Sequence, residues 1–383
     1  MPMPPRTSSL IRYAALAGIA LLAGCQSLNR PEASAVPAVQ APVLPTPVAM
    51  HEFTINPTDD VVGIVQIVRT RDEDTLSDIA RRFNVGYEEI VTANPDVDPW
   101  LPKPGTEVVI PTQFVLPDAK RQGIVINLAA MRLFYFPKAQ PGELQQVITH
   151  PIGIGRIGWR TPEGSTKIVS KTEAPAWTPT AAIHKEHAAD GNPLPKVVPP
   201  GPDNPLGTHV LRLGWSEYAI HGTDKPPSIG LRGTHGCLRL YPEDIVGIYG
   251  AVPVGTPVTV VNQPLLAGWR GDTLVMQTYP VLEDDKRKHD PGRLINLVRK
   301  KSAGDGTRAN VAVNDALVAE ISQNPRAIAV PISDAHLTLE QYLAAALRVE
   351  NKLPLNATWD GEAADETDVM TKTEAPSQRT AAR

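Results

Sequence analysis

The stretch Ile220-His221-Gly222-Thr223, followed by Ser228-Ile229-Gly230-Leu231-Arg232-Gly233-Thr234-His235-Gly236-Cys237-Leu238-Arg239-Leu240, decides how this chain reads. It gathers one thiol, two imidazoles and closely spaced glycines. A thiol nucleophile needs a group that favours the thiolate, a group that takes and returns a proton, and donors for the oxyanion. A cysteine of pKa ~8.5 is only a few per cent thiolate at neutral pH. A shift of about two units corresponds to about 2.7 kcal/mol of thiolate preference, which a nearby imidazole can supply. His235 stands two residues before Cys237 and His221 sixteen before it. On a strand, a spacing of two puts side chains on one face; on a glycine turn the geometry stays open. Gly236 lets the backbone pass close to a substrate carbonyl, so the amides of Gly236 and Cys237 are candidate oxyanion donors. Taken singly, Cys237 also reads as a small buried hydrophobe, and both histidines as structural.

Around this stretch, from Gly123 to about Gln263, short β-branched runs alternate with Gly and Pro. They are Ile124–Ile126, Met131–Phe136, Gln146–Ile148, Lys167–Ser170, Thr208–Leu211, Tyr218–Ile220 and Val258–Val261. The pattern predicts a mainly-β, sandwich-like domain without long helices between strands. Residues 184–200 read as a flexible Pro-rich loop and a candidate lid. His184 and His187 with His209, His221, His235 and Cys237 are potential metal ligands, but no His-Glu-x-x-His string is present. The expectation is no metal and no cofactor.

The string Thr234-His235-Gly236-Cys237 behind His221 resembles the signature of the L,D-transpeptidase catalytic domain. Gly153-Ile-Gly-Arg-Ile-Gly-Trp159-Arg-Thr161-Pro162-Glu-Gly164, Trp177-Thr-Pro179 and Asn204-Pro-Leu-Gly207-Thr-His209 fit it too. The resemblance implies Cys237 as nucleophile, His221 as general base held through its other ring nitrogen, and His235 lining the site. It places Gly236, Thr234 and Gly222 at the oxyanion or site lining, and Arg239, Trp159 and Ser228 at substrate. Arg239 reads equally as a partner for a peptide-stem carboxylate or as one half of a structural ion pair. The implied substrates are peptidoglycan tetrapeptide stems. The acceptor is a lysine of an abundant outer-membrane lipoprotein, another stem, or water. A non-catalytic wall-binding protein is the competing class.

Upstream, Ile64–Val68 reads as a strand, Thr75-Leu-Ser-Asp78 as a capping box, Tyr87–Ala93 as a second helix stopped by Pro95, and Val108–Ile110 as a closing strand. This βααβ order over 63–112 resembles a LysM module, a family that binds N-acetylglucosamine-containing glycan strands. Its groove maps to the loops 71–75 and 94–100, with Asp74, Thr75, Asn94 and Trp100 as candidate contacts.

The N-terminus carries Arg6 and Arg12 before the apolar run Tyr13–Ala23 and then Leu22-Ala23-Gly24-Cys25. Residues 1–24 read as a signal peptide. The tetrapeptide resembles a lipobox, implying a lipid anchor on Cys25, and Gln26 resembles the outer-membrane sorting pattern, hence a periplasmic location. Residues 25–60 read as a Pro/Ala-rich tether. The region 264–354 is predicted as an α+β extension, with strands at Leu274–Val281 and Ala327–Ile332. Its predicted helices are Arg293–Lys301, Asp315–Ser322 and Thr338–Glu350. Residues 355–383 read as a disordered tail. The 383 residues carry 37 basic and 41 acidic side chains, a net charge of −4, which argues against nucleic-acid binding, since that needs a concentrated basic face.

Overall fold

A computed structural model describes residues 43–287, 291–303 and 311–360, with the side chains of 291–295 left aside. The signal peptide, Cys25 and residues 361–383 lie outside the described residues. The helices are α1 (Leu76–Arg82), α2 (Tyr87–Ala93), α3 (Ala181–Ala189), α4 (Pro242–Ala251), α5 (Pro291–Ser302), α6 (Asp315–Gln323) and α7 (Leu339–Ala344). Among the described residues no helix is long and apolar enough to cross a membrane.

The β-branched runs form one nine-stranded sheet. Its order is Glu52–Thr54, Gln146–Pro151, Arg132–Phe136, Gly123–Asn127, Pro257–Val261, Gly164–Glu173, His209–Leu213, Ala219–His221 and Leu238–Arg239. The mainly-β character is as expected, and the sheet is mixed. Gly123–Asn127 runs parallel to Pro257–Val261, and Ala219–His221 runs parallel to Leu238–Arg239. Two helices were not anticipated. α3 replaces the first part of the expected flexible loop, because Thr180 caps it and Ala181, Ala182, Ala188 and Ala189 favour helix. In α4, Pro242 stands at the first turn and Asp244, Ile245 and Ile248 face inward; Gly247 and Gly250 mask that signal in the sequence.

The site owes its position to strand alternation. Leu211, Leu213, Ile220, Leu238 and Leu240 bury into the main core with α4 residues Ile245 and Ile248. Their neighbours Val210, Arg212, Ala219, His221, Cys237 and Arg239 therefore belong to the opposite face.

The LysM elements follow their predicted order. Strand Gln66–Arg69 pairs with Glu107–Ile110, and both sides of the Thr75–Asp78 capping box are made. The module is fastened to the nine-stranded sheet. Arg132, on strand Arg132–Phe136, meets Glu89 of α2 at 2.7 Å with both side chains buried, and donates to the Asn84 carbonyl at 3.0 Å. Asn84, at φ 52° just after α1, bonds the Asp244 carboxylate at 2.7 Å. Arg81 grips Glu243 through Nε and Nη2, at 3.0 and 2.9 Å. At the start of α2 the amides of Tyr87 and Glu88 donate to the carbonyls of Ile229 and Gly230. That loop connects His221 to Thr234.

Two expectations need correction. The tether ends well before residue 60: Glu52–Thr54 pairs with Gln146–Ile148 at the sheet edge, and Met50, His51 and Ile55 are buried. Three residues, Glu52, Phe53 and Thr54, are too few to show a period between Pro47 and Pro57, which hid this edge strand. The helix expected over Thr338–Glu350 stops at Ala344. Leu347–Arg348 then adds as a parallel strand beside Gln66–Ile67, and Val349 enters the LysM core. The open edge of the small LysM sheet offers the chain more than two further helical turns would. The rest of the extension forms the three-stranded sheet Leu265–Arg270, Thr273–Thr278 and Ala329–Pro331, covered by α5 and α6. Its first strand was not anticipated.

Candidate active site

Thr234-His235-Gly236-Cys237 is a turn strung between two short ladders. Before it, Arg232–Thr234 runs beside Ile154–Gly155; after it, Leu238–Arg239 runs beside Ala219–His221, while Gly153 exchanges both backbone bonds with Arg239. The Gly153-Ile154-Gly155 segment thus holds both ends of the turn. Thr234 clamps it from within: its buried hydroxyl donates to the Cys237 carbonyl at 2.6 Å and accepts the Gly236 N–H at 3.1 Å. Thr161 donates to the Gly236 carbonyl at 2.8 Å. Gly236 sits at φ +105°, where a Cβ would meet the Tyr218 ring at 2.7 Å. Only glycine fits that turn.

This clamp revises the oxyanion assignment. The Gly236 amide is committed to Thr234, which leaves the Cys237 amide of the two expected donors. Gly222 is not a donor either. Its N–H goes to the His209 carbonyl, and its own carbonyl lies 2.7 Å from His221 Nδ1. His221 is buried, and that contact fixes Nδ1 as the protonated nitrogen and leaves Nε2 as the basic one. The parallel register Ile220↔Leu238 and His221↔Arg239 puts His221 and Cys237 on the same sheet face.

The thiol donates to the Glu217 carbonyl at 3.4 Å. Burial pushes its pKa up, against the pull of the Ala219 amide and of Arg239 and Arg212. Burial, then Arg239, lowers His221 to about 3 despite the Gly222 carbonyl. The resting pair is therefore a neutral thiol and a neutral imidazole, where the sequence suggested an imidazole that lowers the thiol pKa. For both groups desolvation outweighs the nearby charges.

His235 is placed differently. Its Nε2 is 3.2 Å from Glu186 of α3 and 3.1 Å from Arg156, which also pairs with Glu186. Trp159 packs edge-on against its ring at 4.7 Å. Arg156 and Glu186 were missed by the sequence reading; Glu186 sits between His184 and His187, whose spacing drew attention to metal instead. Among the described residues no three His, Cys, Asp or Glu side chains gather closely enough to hold a metal ion. Ser228 turns its hydroxyl to the Lys225 carbonyl at 2.6 Å, closing a short helical turn. Arg239 forms no ion pair among the described residues, and its buried Nε lacks a partner. Tyr218 also lines a cleft of about 670 Å³, together with Trp215 and Glu163.

At the expected glycan groove, three of the four candidates are internally occupied. Asp74 accepts from the Arg71 amide, Arg82 and Asn351; Asn94 bonds Ile90 and both backbone groups of Val109. Thr75 serves as the α1 cap. Trp100 is 65% exposed beside Tyr87, at 6.0 Å between rings.

The L,D-transpeptidase catalytic domain family matches residues 121–260, and the LysM domain family matches residues 68–111. The probable L,D-transpeptidase YbiS of Escherichia coli K12 is 47% identical over 216 residues, covering 55% of this chain and 69% of that protein. The chain belongs to the L,D-transpeptidase family. Two further E. coli K12 relatives are the probable L,D-transpeptidases YcfS and ErfK/SrfK. YcfS is 44% identical, covering 51% of this chain and 61% of that protein; ErfK/SrfK is 43% identical, covering 54% and 66%. In this transpeptidase the family-matched region contains both ladders that suspend the Cys237 turn.

Proposed function

We propose that this enzyme is a peptidoglycan L,D-transpeptidase in which Cys237 is the nucleophile and His221 the general base. The observation that carries the reading is the shared sheet face of Cys237 and His221, with His221 Nδ1 held by the Gly222 carbonyl. As Sγ attacks the carbonyl carbon of the third stem residue, His221 Nε2 takes the thiol proton. The Cys237 amide receives the oxyanion. Collapse breaks the bond to the terminal D-Ala, whose amine leaves with the proton from His221, and a thioester remains. An acceptor amine attacks the thioester, His221 takes its proton, and the thiol is restored as the new amide forms.

Because the resting pair is neutral, proton transfer accompanies attack. His235 ties α3 to the catalytic turn, and Thr234 holds the turn itself. The LysM module recruits the glycan, with Trp100 as its exposed aromatic contact. Cys25 carries the lipid, which places the enzyme in the periplasm at the outer membrane. The order of LysM and catalytic domain favours a lipoprotein lysine as acceptor over a second stem or water. A wall-binding protein with no activity is disfavoured by the intact clamp around Cys237. Mass spectrometry of muropeptides incubated with enzyme tests this reading. Loss of D-Ala with gain of an acceptor amide supports it; unchanged muropeptides, with any acceptor supplied, contradict it.

A further inference from the structure

The face that carries the thiol also carries two arginines. Arg212 pairs across the sheet with Ala219, and Arg239 pairs with His221. One row of the face therefore runs Arg212, Ala219, Cys237, and the next runs Val210, His221, Arg239. With strands about 4.8 Å apart, the Cβ atoms of Arg212 and Cys237 stand about 10 Å apart. The methyl of Ala219 fills little of the space between, and an extended arginine side chain spans most of it.

Other arginines around the site face carboxylates: Arg156 meets Glu186, Arg160 and Arg232 meet Asp284, and Arg287 meets Asp285. Arg212 and Arg239 meet none among the described residues. Asp224 acts on Arg239 and Glu217 on the thiol, but among the described residues neither closes an ion pair with the two arginines, so the cations flanking the nucleophile suit a bound anion.

We infer that Arg212 is a recognition residue for the α-carboxylate of the residue that leaves the donor. This rests on the donor reading above. That carboxylate lies three bonds from the scissile carbonyl carbon, hence within about 4 Å of it. A guanidinium reaching over Ala219 meets it when the carbonyl carbon is at Sγ. The consequence is selectivity for donors with a free C-terminus over amidated or extended ones. Both arginines also lower the basicity of His221, so a carboxylate seated between them raises the basicity of Nε2 as the donor arrives.

The experiment compares alkylation of Cys237 by iodoacetate, an anion, with alkylation by iodoacetamide, its neutral counterpart. Wild type, Arg212→Gln and Arg212→Lys are followed by mass mapping of the Cys237 peptide. The iodoacetate-to-iodoacetamide rate ratio is expected to fall about fivefold or more in Arg212→Gln, the scale of one partly screened charge contact, and to be kept in Arg212→Lys. An unchanged ratio in Arg212→Gln overturns the assignment. In parallel, tetrapeptide donors ending in D-alanine or D-alaninamide are compared by kcat/KM. Wild type is expected to prefer the free acid, and Arg212→Gln to lose that preference through the free acid alone. If wild type turns over neither donor, the donor reading fails, while the alkylation ratio still decides whether Arg212 receives an anion.

Discussion

Glu89→Gln is expected to destabilise the whole folded unit and to slow the chemistry at Cys237. The pair it breaks is buried on both sides, with Arg132 at 0% and Glu89 at 3% side-chain exposure. Arg132 keeps its bonds to Asn84 and Thr149 and its place over the Phe114 ring, at 4.1 Å. Its charge is left without a counter-charge. Removing one partner of a buried pair costs about 3–5 kcal/mol. Glutamine keeps the volume and can still accept from Arg132 and from the Gly86 amide, which Glu89 caps at 3.1 Å. The lower end, about 3 kcal/mol, is expected, hence a fall of roughly 4–5 °C in Tm for a cooperative unit of this size. The same turn of α2 holds the Ile229 and Gly230 carbonyls through the amides of Tyr87 and Glu88. Acylation of Cys237 should therefore slow at temperatures where the variant remains folded. Thermal unfolding and the rate of carbapenem adduct formation measure the two effects. Glu89→Gln combined with Arg132→Met should recover part of the stability, because no charge is left orphaned while the glutamine still accepts from the Gly86 amide. An unchanged Tm, or a shift confined to one of two separate transitions, would refute the view that LysM and the catalytic sheet are one cooperative unit.

Thr234→Val leaves the Gly236 N–H and the Cys237 carbonyl without their buried partner. About 2 kcal/mol or more of stability should be lost, and acylation should slow at least tenfold, with Thr234→Ser close to wild type; a Val variant that acylates normally would remove the clamp from the account. The pH profile follows from burial. Burial holds the Cys237 pKa above the ordinary thiol range, so its alkylation by iodoacetamide should still be rising at pH 9, and a plateau beginning near pH 6 would indicate a thiolate–imidazolium pair instead. His51 and His221 fall from 6.5 to about 4 and about 3, both chiefly by burial. Lowered folded values mean stability fully present above pH 6.5 and lost as pH falls toward 3. Urea midpoints between pH 7 and 4 should decline, and a flat profile would contradict their neutral burial.

Much of the architecture was legible because it is local. Thr75 and Asp78 announce a capped helix, and Pro95 follows the end of α2. The β-branched runs from Ile124 to Val261 announce strands. What stayed hidden depends on distant partners. Glu52–Thr54 is a strand only because Gln146–Ile148 offers an edge, and Leu347–Arg348 only because Gln66–Ile67 does. Asp74 and Asn94 looked available in their loops, yet Asn351 and Val109 occupy them from 277 and 15 residues away. Cys237 and His221 stand out by type and spacing. That the Gly236 amide is spent on Thr234, and that His235 faces Glu186 and Arg156, follows from how the turn closes in space.

The most direct test of the central claim is intact-mass analysis of the purified enzyme after exposure to a carbapenem, with peptide mapping of the product. The account predicts one covalent adduct, located on Cys237 and absent from Cys237→Ala. Unmodified wild-type protein, or an adduct that persists in Cys237→Ala, would contradict it.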